Sequence, residues 1–89
     1  MAALIIFQIR NIRLSIIPSS FCKLMNLRHL VASNNALESL PNQFFNLKNL
    51  EYLDLSDNHF VFLPMGLKNL AKLKVIYMQL IVLIEGIFF

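Results

Sequence analysis

The residues of this 89-residue chain that most often carry acid–base or metal chemistry are few: two histidines, one cysteine and five carboxylates. The most suggestive grouping is His29, Tyr52 and Asp54. A histidine beside a phenol and a carboxylate has the groups for general acid–base work. The sequence sets no nucleophile against that base and implies no pocket around it, so a solvated or packed histidine is the simpler reading of His29. His59 follows Asn58 and reads as a turn residue. Two histidines, one cysteine and scattered acids give no metal-ligand spacing. With only Gly66 and Gly86, no glycine-rich phosphate loop can form. Cys22 is simplest as a small packing residue or a quiet surface thiol. The expectation is a non-enzyme without metal or cofactor.

The spacing that brings His29 to Tyr52 recurs along the chain. Leu4, Leu27, Leu50 and Leu73 stand 23 residues apart, as do Phe7, Leu30, Leu53 and Ile76. Leu14, Leu37, Phe60 and Leu83 form another column, and Pro18, Pro41 and Pro64 a further one. A period of this length points to stacked coils and not to a globule built around one site.

Residues 50–72 show the unit best. From Glu51 to Ser56 apolar and polar residues alternate, the mark of a strand with one buried face. Leu53 and Leu55 turn inward; Tyr52, Asp54 and Ser56 turn outward. Asn58 stands at the bend, where an amide can donate and accept to backbone groups that a tight turn leaves unpaired. Leu63-Pro64 opens the return path, since proline fixes φ and removes a donor. Met65 to Leu70 can then form a short helical piece with Leu67 and Leu70 inward. Stacking such coils lays equivalent strands side by side in a parallel sheet, about 4.8 Å apart. The bulkier return segments make the other face, and the unequal widths curve the stack with the sheet inside.

The run Leu50-x-x-Leu53-x-Leu55-x-x-Asn58-x-Phe60-x-x-Leu63-Pro64 resembles the leucine-rich repeat. Its length and Leu-Pro pair are similar to the intracellular class found in Ras-pathway scaffold proteins. The resemblance covers about residues 4–78. It implies an α/β solenoid, a short right-handed superhelix with a parallel sheet on its concave face and short helical, 3-10 or extended segments on its convex face. It also implies a protein–protein interaction module of scaffold or adaptor type, acting in signal transduction through the concave sheet. The coils are expected at 4–26, 27–49 and 50–72, with a partial one at 73–78.

Both ends depart from the pattern. The first coil has Ile12 where asparagine is expected, with Asn11 one place early. The second has Ala32 in a leucine position, leaving room that Phe7 or Phe44 could fill. The fourth begins with Leu73, Ile76 and Met78 and then fails, since Ile81 replaces asparagine, Gly86 replaces leucine and Ile87 replaces proline. Residues 79–89 are therefore read as a degenerate hydrophobic tail. Three readings stay open: a last strand and apolar end covering the core, a membrane-active tail, or the end of a truncated or alternative product of a longer signalling protein. The apolar stretch from Val75 falls short of the roughly 20 residues of a spanning helix, and Glu85 would be costly in lipid. Neither end offers an obvious polar cap, which predicts marginal stability or self-association through the ends.

Composition narrows the setting. The chain is 57% apolar, with a net charge of +3. Lys23, Arg28, Lys48, Lys68, Lys72 and Lys74 fall around the outer segment and read as a solvated rim; no basic run or aromatic interleaving supports nucleic-acid binding. One cysteine and the lack of any Asn-x-Ser/Thr sequon favour a reducing, cytoplasmic location. The outward strand positions form a lattice: Ile6, His29, Tyr52, Val75; then Gln8, Val31, Asp54, Tyr77; then Arg10, Ser33, Ser56, Gln79; then Asn11, Asn34, Asp57, Leu80. From it, His29, Val31, Ser33, Tyr52, Asp54, Ser56, Asp57 and Tyr77 are the expected partner-binding residues. The tyrosines are candidate anchors, and the aspartates suit a partner offering arginine or lysine.

Overall fold

The computed structural model describes residues 5–62, 64–78 and 81–84. Their five strands are β1 (Ile6–Gln8), β2 (His29–Val31), β3 (Tyr52–Asp54), β4 (Val75–Met78) and β5 (Ile81–Ile84). They lie in one sheet in chain order, and the first four run parallel. The register follows the period residue by residue. Ile6 faces His29, His29 faces Tyr52 and Tyr52 faces Val75, while Gln8, Val31, Asp54 and Tyr77 form the parallel row. This is what a fixed repeat must give when each coil ends where the next begins.

The return segments are 3-10 helices at Ser19–Lys23, Asn42–Asn46 and Met65–Asn69. No α-helix occurs among the described residues. Each 3-10 segment follows its proline in extended backbone, with φ near −61°, −66° and −61° at Pro18, Pro41 and Pro64. The Pro18, Pro41 and Pro64 carbonyls accept from Phe21, Phe44 and Leu67 N–H at 3.0, 2.9 and 3.1 Å. A 3-10 turn repeats every three residues, so Leu67 and Leu70, three apart, both turn inward and are buried.

Between sheet and return segments lies one apolar cluster of matched columns: Leu27, Leu50 and Leu73; Leu30, Leu53 and Ile76; Leu37 and Phe60; Phe44 and Leu67; Leu47 and Leu70. Ala32 is fully buried in the same cluster as Phe44, and Phe7 packs against it from the first coil. Burying side chains of this kind contributes roughly 1.5–3 kcal/mol each, offset by the conformational entropy lost on ordering the chain.

Two buried asparagines hold the corners. The Asn58 amide donates to its own strand end at Leu55 O (3.0 Å) and to Ala32 O (2.9 Å) one coil earlier, while its Oδ1 accepts from Leu37 N–H at 3.0 Å. Asn35 does the same one coil back, donating to Ala32 O and Ile9 O and accepting from Ile12 and Leu14 N–H. Each amide thereby satisfies polar backbone in two coils. The first coil has no asparagine of its own there, and Ile12 points to solvent.

The fourth unit takes a different course. β5 runs antiparallel to β4, with Met78 facing Ile81 and Val75 facing Ile84. Antiparallel neighbours can be joined by a very short connection, whereas a parallel return needs a long crossover. Ile81, in the sequence column of Asn35 and Asn58, begins a strand that pairs back on β4 and not a corner leading to a return segment. Part of the expected tail is thus a sheet strand. Residues 79–80 and 85–89, with Gln79, Leu80, Glu85, Gly86 and Ile87, lie outside the described residues.

Candidate functional site

The candidate site is the solvent face of β2, β3 and β4, built by strand alternation from residues two apart. His29 lies over Tyr52, ring centroids 5.2 Å apart and planes 19° off parallel. Tyr52 meets Tyr77 at 5.5 Å and 55°. Three rings from three successive strands therefore form one aromatic ladder, in the range where ring pairs attract beyond simple burial. The period brings His29 to Tyr52 directly and Tyr77 diagonally, because Tyr77 pairs in register with Asp54.

Asp54 closes the group. Its Oδ1 accepts from Ser56 N–H at 2.9 Å and from the Ser56 hydroxyl at 2.6 Å. That double contact fixes the carboxylate and leaves Oδ2 without a hydrogen bond among the described residues. Partial burial pushes the Tyr52 phenol above its ordinary value. Tyr77 and the Asp54 charge act in the same direction, and Arg10 opposes them. Tyr52 thus sits between a negative group on its own strand and a positive one two coils back. Arg10 itself donates to Gln8 Oε1 at 3.1 Å.

The other expected residues fall as follows. Ser33 and Ser56 are half-buried. Val31 holds its place in the outward row but is only 8% exposed, so it presents little surface to a partner. Asp57 is exposed, and its backbone is left-handed with φ 55°. Asn34 and Asn11, its equivalents one and two coils earlier, have φ 57° and 58°. Asparagine and aspartate tolerate this conformation better than most residues, so the column is first a corner-forming device. The Asn34 amide also donates to Asn11 Oδ1, linking two corners.

His29 and Asp54 share the face, but the hydrogen bonds of Asp54 run to Ser56 and not to His29. Among the described residues no group of three or more His, Cys, Asp or Glu could hold a metal ion. Cys22 is buried in the first return segment, where burial raises its thiol pKa. The expected basic rim is partly engaged. Arg28 donates through Nε and Nη2 to Glu51 Oε2 at 3.0 and 2.7 Å, and Lys72 donates to Asn49 Oδ1 at 2.9 Å. No described helix is long and apolar enough to cross a membrane.

One surface feature escaped the reading of the sequence. Val61 and Phe62 are each 82% exposed and Met65 69%, beside Leu40 and Phe45 on the return side of the third coil. The second coil carries Glu38, Ser39 and Asn42 at the equivalent positions. Comparing outward positions between coils, and not only inward ones, would have shown this apolar switch.

No curated protein matches the chain. Residues 26–64 match the family model described as Leucine Rich repeats (2 copies), spanning β2, β3 and both asparagine corners. With the four-stranded parallel sheet and the 3-10 return segments, that match fits a short leucine-rich-repeat solenoid and supports a leucine-rich-repeat family for the chain, whose repeats are generally non-catalytic modules of protein–protein interaction.

Proposed function

We propose that the chain is a protein-interaction module of scaffold or adaptor type, working in cytoplasmic signal transduction and binding a protein partner through the solvent face of its sheet. His29, Tyr52, Asp54 and Tyr77 form the centre of the contact. Ser33, Ser56 and Asp57 form its rim toward the corners, and Val31 supplies packing beneath it. The observation that carries this reading is the aromatic ladder: three rings from three strands are held on an open face by a sheet whose register cannot slip without breaking the core. Preset side chains lose little entropy on binding, and aromatic side chains are enriched among the residues that dominate interface energies.

The size of the face sets the expected strength. Four parallel strands span about 15 Å across the sheet, less than the roughly 800 Å² per partner of a standard interface requires. Modest affinity follows for this chain alone.

The test is to select binders from a random-peptide library on the intact chain and map them by amide shift perturbation. Perturbations centred on residues 29–33, 52–57 and 75–77 support the proposal. Perturbations confined to the return segments, 42–46 and 65–69, refute it.

A further inference from the structure

The charges around the aromatic ladder are unevenly placed, and that unevenness narrows the partner. Tyr52 and Asp54 lie two apart on one face of β3, and Tyr77 faces Asp54 across the β3–β4 pairing. The three side chains therefore bound a patch with a ring on two sides and a carboxylate on the third. Asp57 stands exposed at the corner just beyond. The described ion pairs include none to Asp54 or Asp57; the pair present joins Arg28 to Glu51. Ser56 occupies Oδ1 of Asp54, so the carboxylate is oriented and its other oxygen keeps its hydrogen-bonding capacity among the described residues.

Resting on the reading of this face as a protein-binding surface, we infer that the partner presents an arginine side chain to the Tyr52–Tyr77 rings, its guanidinium paired with Asp54. A guanidinium is planar and weakly hydrated, and it can stack on an aromatic face while its edge donates to a carboxylate. An ammonium satisfies the charge without using the ring faces as fully. Charge complementarity also orients the bound segment. Arg10 lies toward β1, two strands away and about 10 Å across the sheet by strand spacing. A segment crossing the strands thus meets negative charge at the third coil and positive charge at the first. Its arginine belongs over β3 and β4, and any acidic residue belongs toward β1.

The experiment follows the Tyr52 and Tyr77 ring resonances of the full chain by NMR. A short extended peptide with one central arginine is titrated to millimolar concentration and compared with the same peptide carrying citrulline, a neutral isostere. The arginine peptide shifts both rings saturably. Citrulline weakens binding about three- to tenfold, the scale of one exposed cation–π contact plus one exposed ion pair. Asp54→Asn, which keeps an oxygen for Ser56, weakens the arginine peptide by the ion-pair share of that factor, about two- to threefold, since the rings remain, and leaves the citrulline peptide unchanged. Equal binding of the two peptides, or an unaltered arginine titration in Asp54→Asn, overturns the inference while leaving the face as a peptide-binding surface. If neither peptide moves either ring, both the inference and the sheet-face reading fall.

Discussion

The Asn58 amide donates to the Ala32 carbonyl at 2.9 Å, tying the corner of the third coil to the strand end of the second. The bond spans 26 residues, and Asn35 makes its counterpart to Ile9 one coil earlier at 3.0 Å. These amides hold the strands in step, so the arrangement of rings on the outer face depends on groups that never reach it. Asn58→Ala leaves the Leu37 N–H buried without its acceptor and strips donors from three carbonyls. The expected loss is about 2–3 kcal/mol, on the scale of buried polar groups left unpaired. Asn58→Asp keeps the acceptor but turns a carboxylate toward carbonyl oxygens. It is expected to cost at least as much near neutral pH and to recover in part on acidification. Urea denaturation of both variants at two pH values measures this, and a neutral Asn58→Ala would remove the asparagine corner as a determinant of stability.

Gly66 and Phe45 make a second dependence between coils. A methyl group at residue 66 would lie 2.6 Å from the Phe45 ring, well inside contact distance. Gly66→Ala must displace that ring, at an expected cost of about 1–3 kcal/mol, the usual range for overpacking. Phe45→Leu removes the obstacle, so the double variant should lose less stability than the two single losses added together. Additive losses in a double-mutant cycle would show that the ring does not set the requirement for glycine.

How far the sequence foretold this molecule depends on which interactions are periodic. The strand register was legible, because the apolar columns repeat at the spacing that the pairing follows from Phe7 to Ile76. The return segments were legible too, since proline followed by inward leucines three apart suits a 3-10 turn. Local backbone conformation was less so. Asn11, Asn34 and Asp57 read as a polar column, yet their left-handed backbone makes them corner residues first. Alternation placed Val31 outward, but alternation says which way a side chain points and not how deeply its neighbours cover it. The reversal of β5 could not be read from the failing repeat, because losing an asparagine shows where a corner is unsupported and not where the chain goes next. The rings at the candidate site were placed by the period, while the clasp of Ser56 on Asp54 required coordinates.

The Arg28–Glu51 pair gives the chain an acid-sensitive contact. The hydrogen bond from Arg28 holds the Glu51 carboxyl below its ordinary value; desolvation, the next largest effect, opposes it, and the charges of Arg28, Lys74 and His29 each add a smaller lowering. The folded state therefore binds this proton less readily than the unfolded chain. The stability the pair contributes is present above the ordinary glutamate range and is lost as pH falls through the lowered value. Arg28→Gln should move the Glu51 titration back toward its ordinary value and flatten the acid limb of stability. An unchanged carboxyl titration followed by NMR would rule out this coupling.

Cys22 supplies a probe of opening at the first coil. Its thiol is buried, lies 4.0 Å from the Pro18 carbonyl oxygen and has a pKa raised by desolvation. Both inaccessibility and a small thiolate fraction slow its reaction, because the thiolate is the nucleophile. In native buffer Cys22 is expected to react with a disulfide reagent far more slowly than a free thiol, and at the free rate in denaturant. Fast native labelling would mean that the first coil opens readily or that the thiol is reachable.

Tyr52 gives the face a titration of its own. Its phenol is held above the ordinary tyrosine value by desolvation first, then by Tyr77 and Asp54. A raised value means that the folded state keeps this proton more tightly than the unfolded chain. The associated stability is complete below the ordinary tyrosine range and is lost as pH climbs through the raised value. Ultraviolet titration should therefore show Tyr52 ionising later than a free tyrosine. Asp54→Asn removes the negative neighbour and should bring the transition part of the way down, while desolvation and Tyr77 keep it above the free value. Tyr52→Phe should abolish this step and leave stability flatter on the alkaline side. If Asp54→Asn leaves the phenol titration unmoved, the carboxylate does not act on the ring, and a cation recruited by one would not be felt by the other.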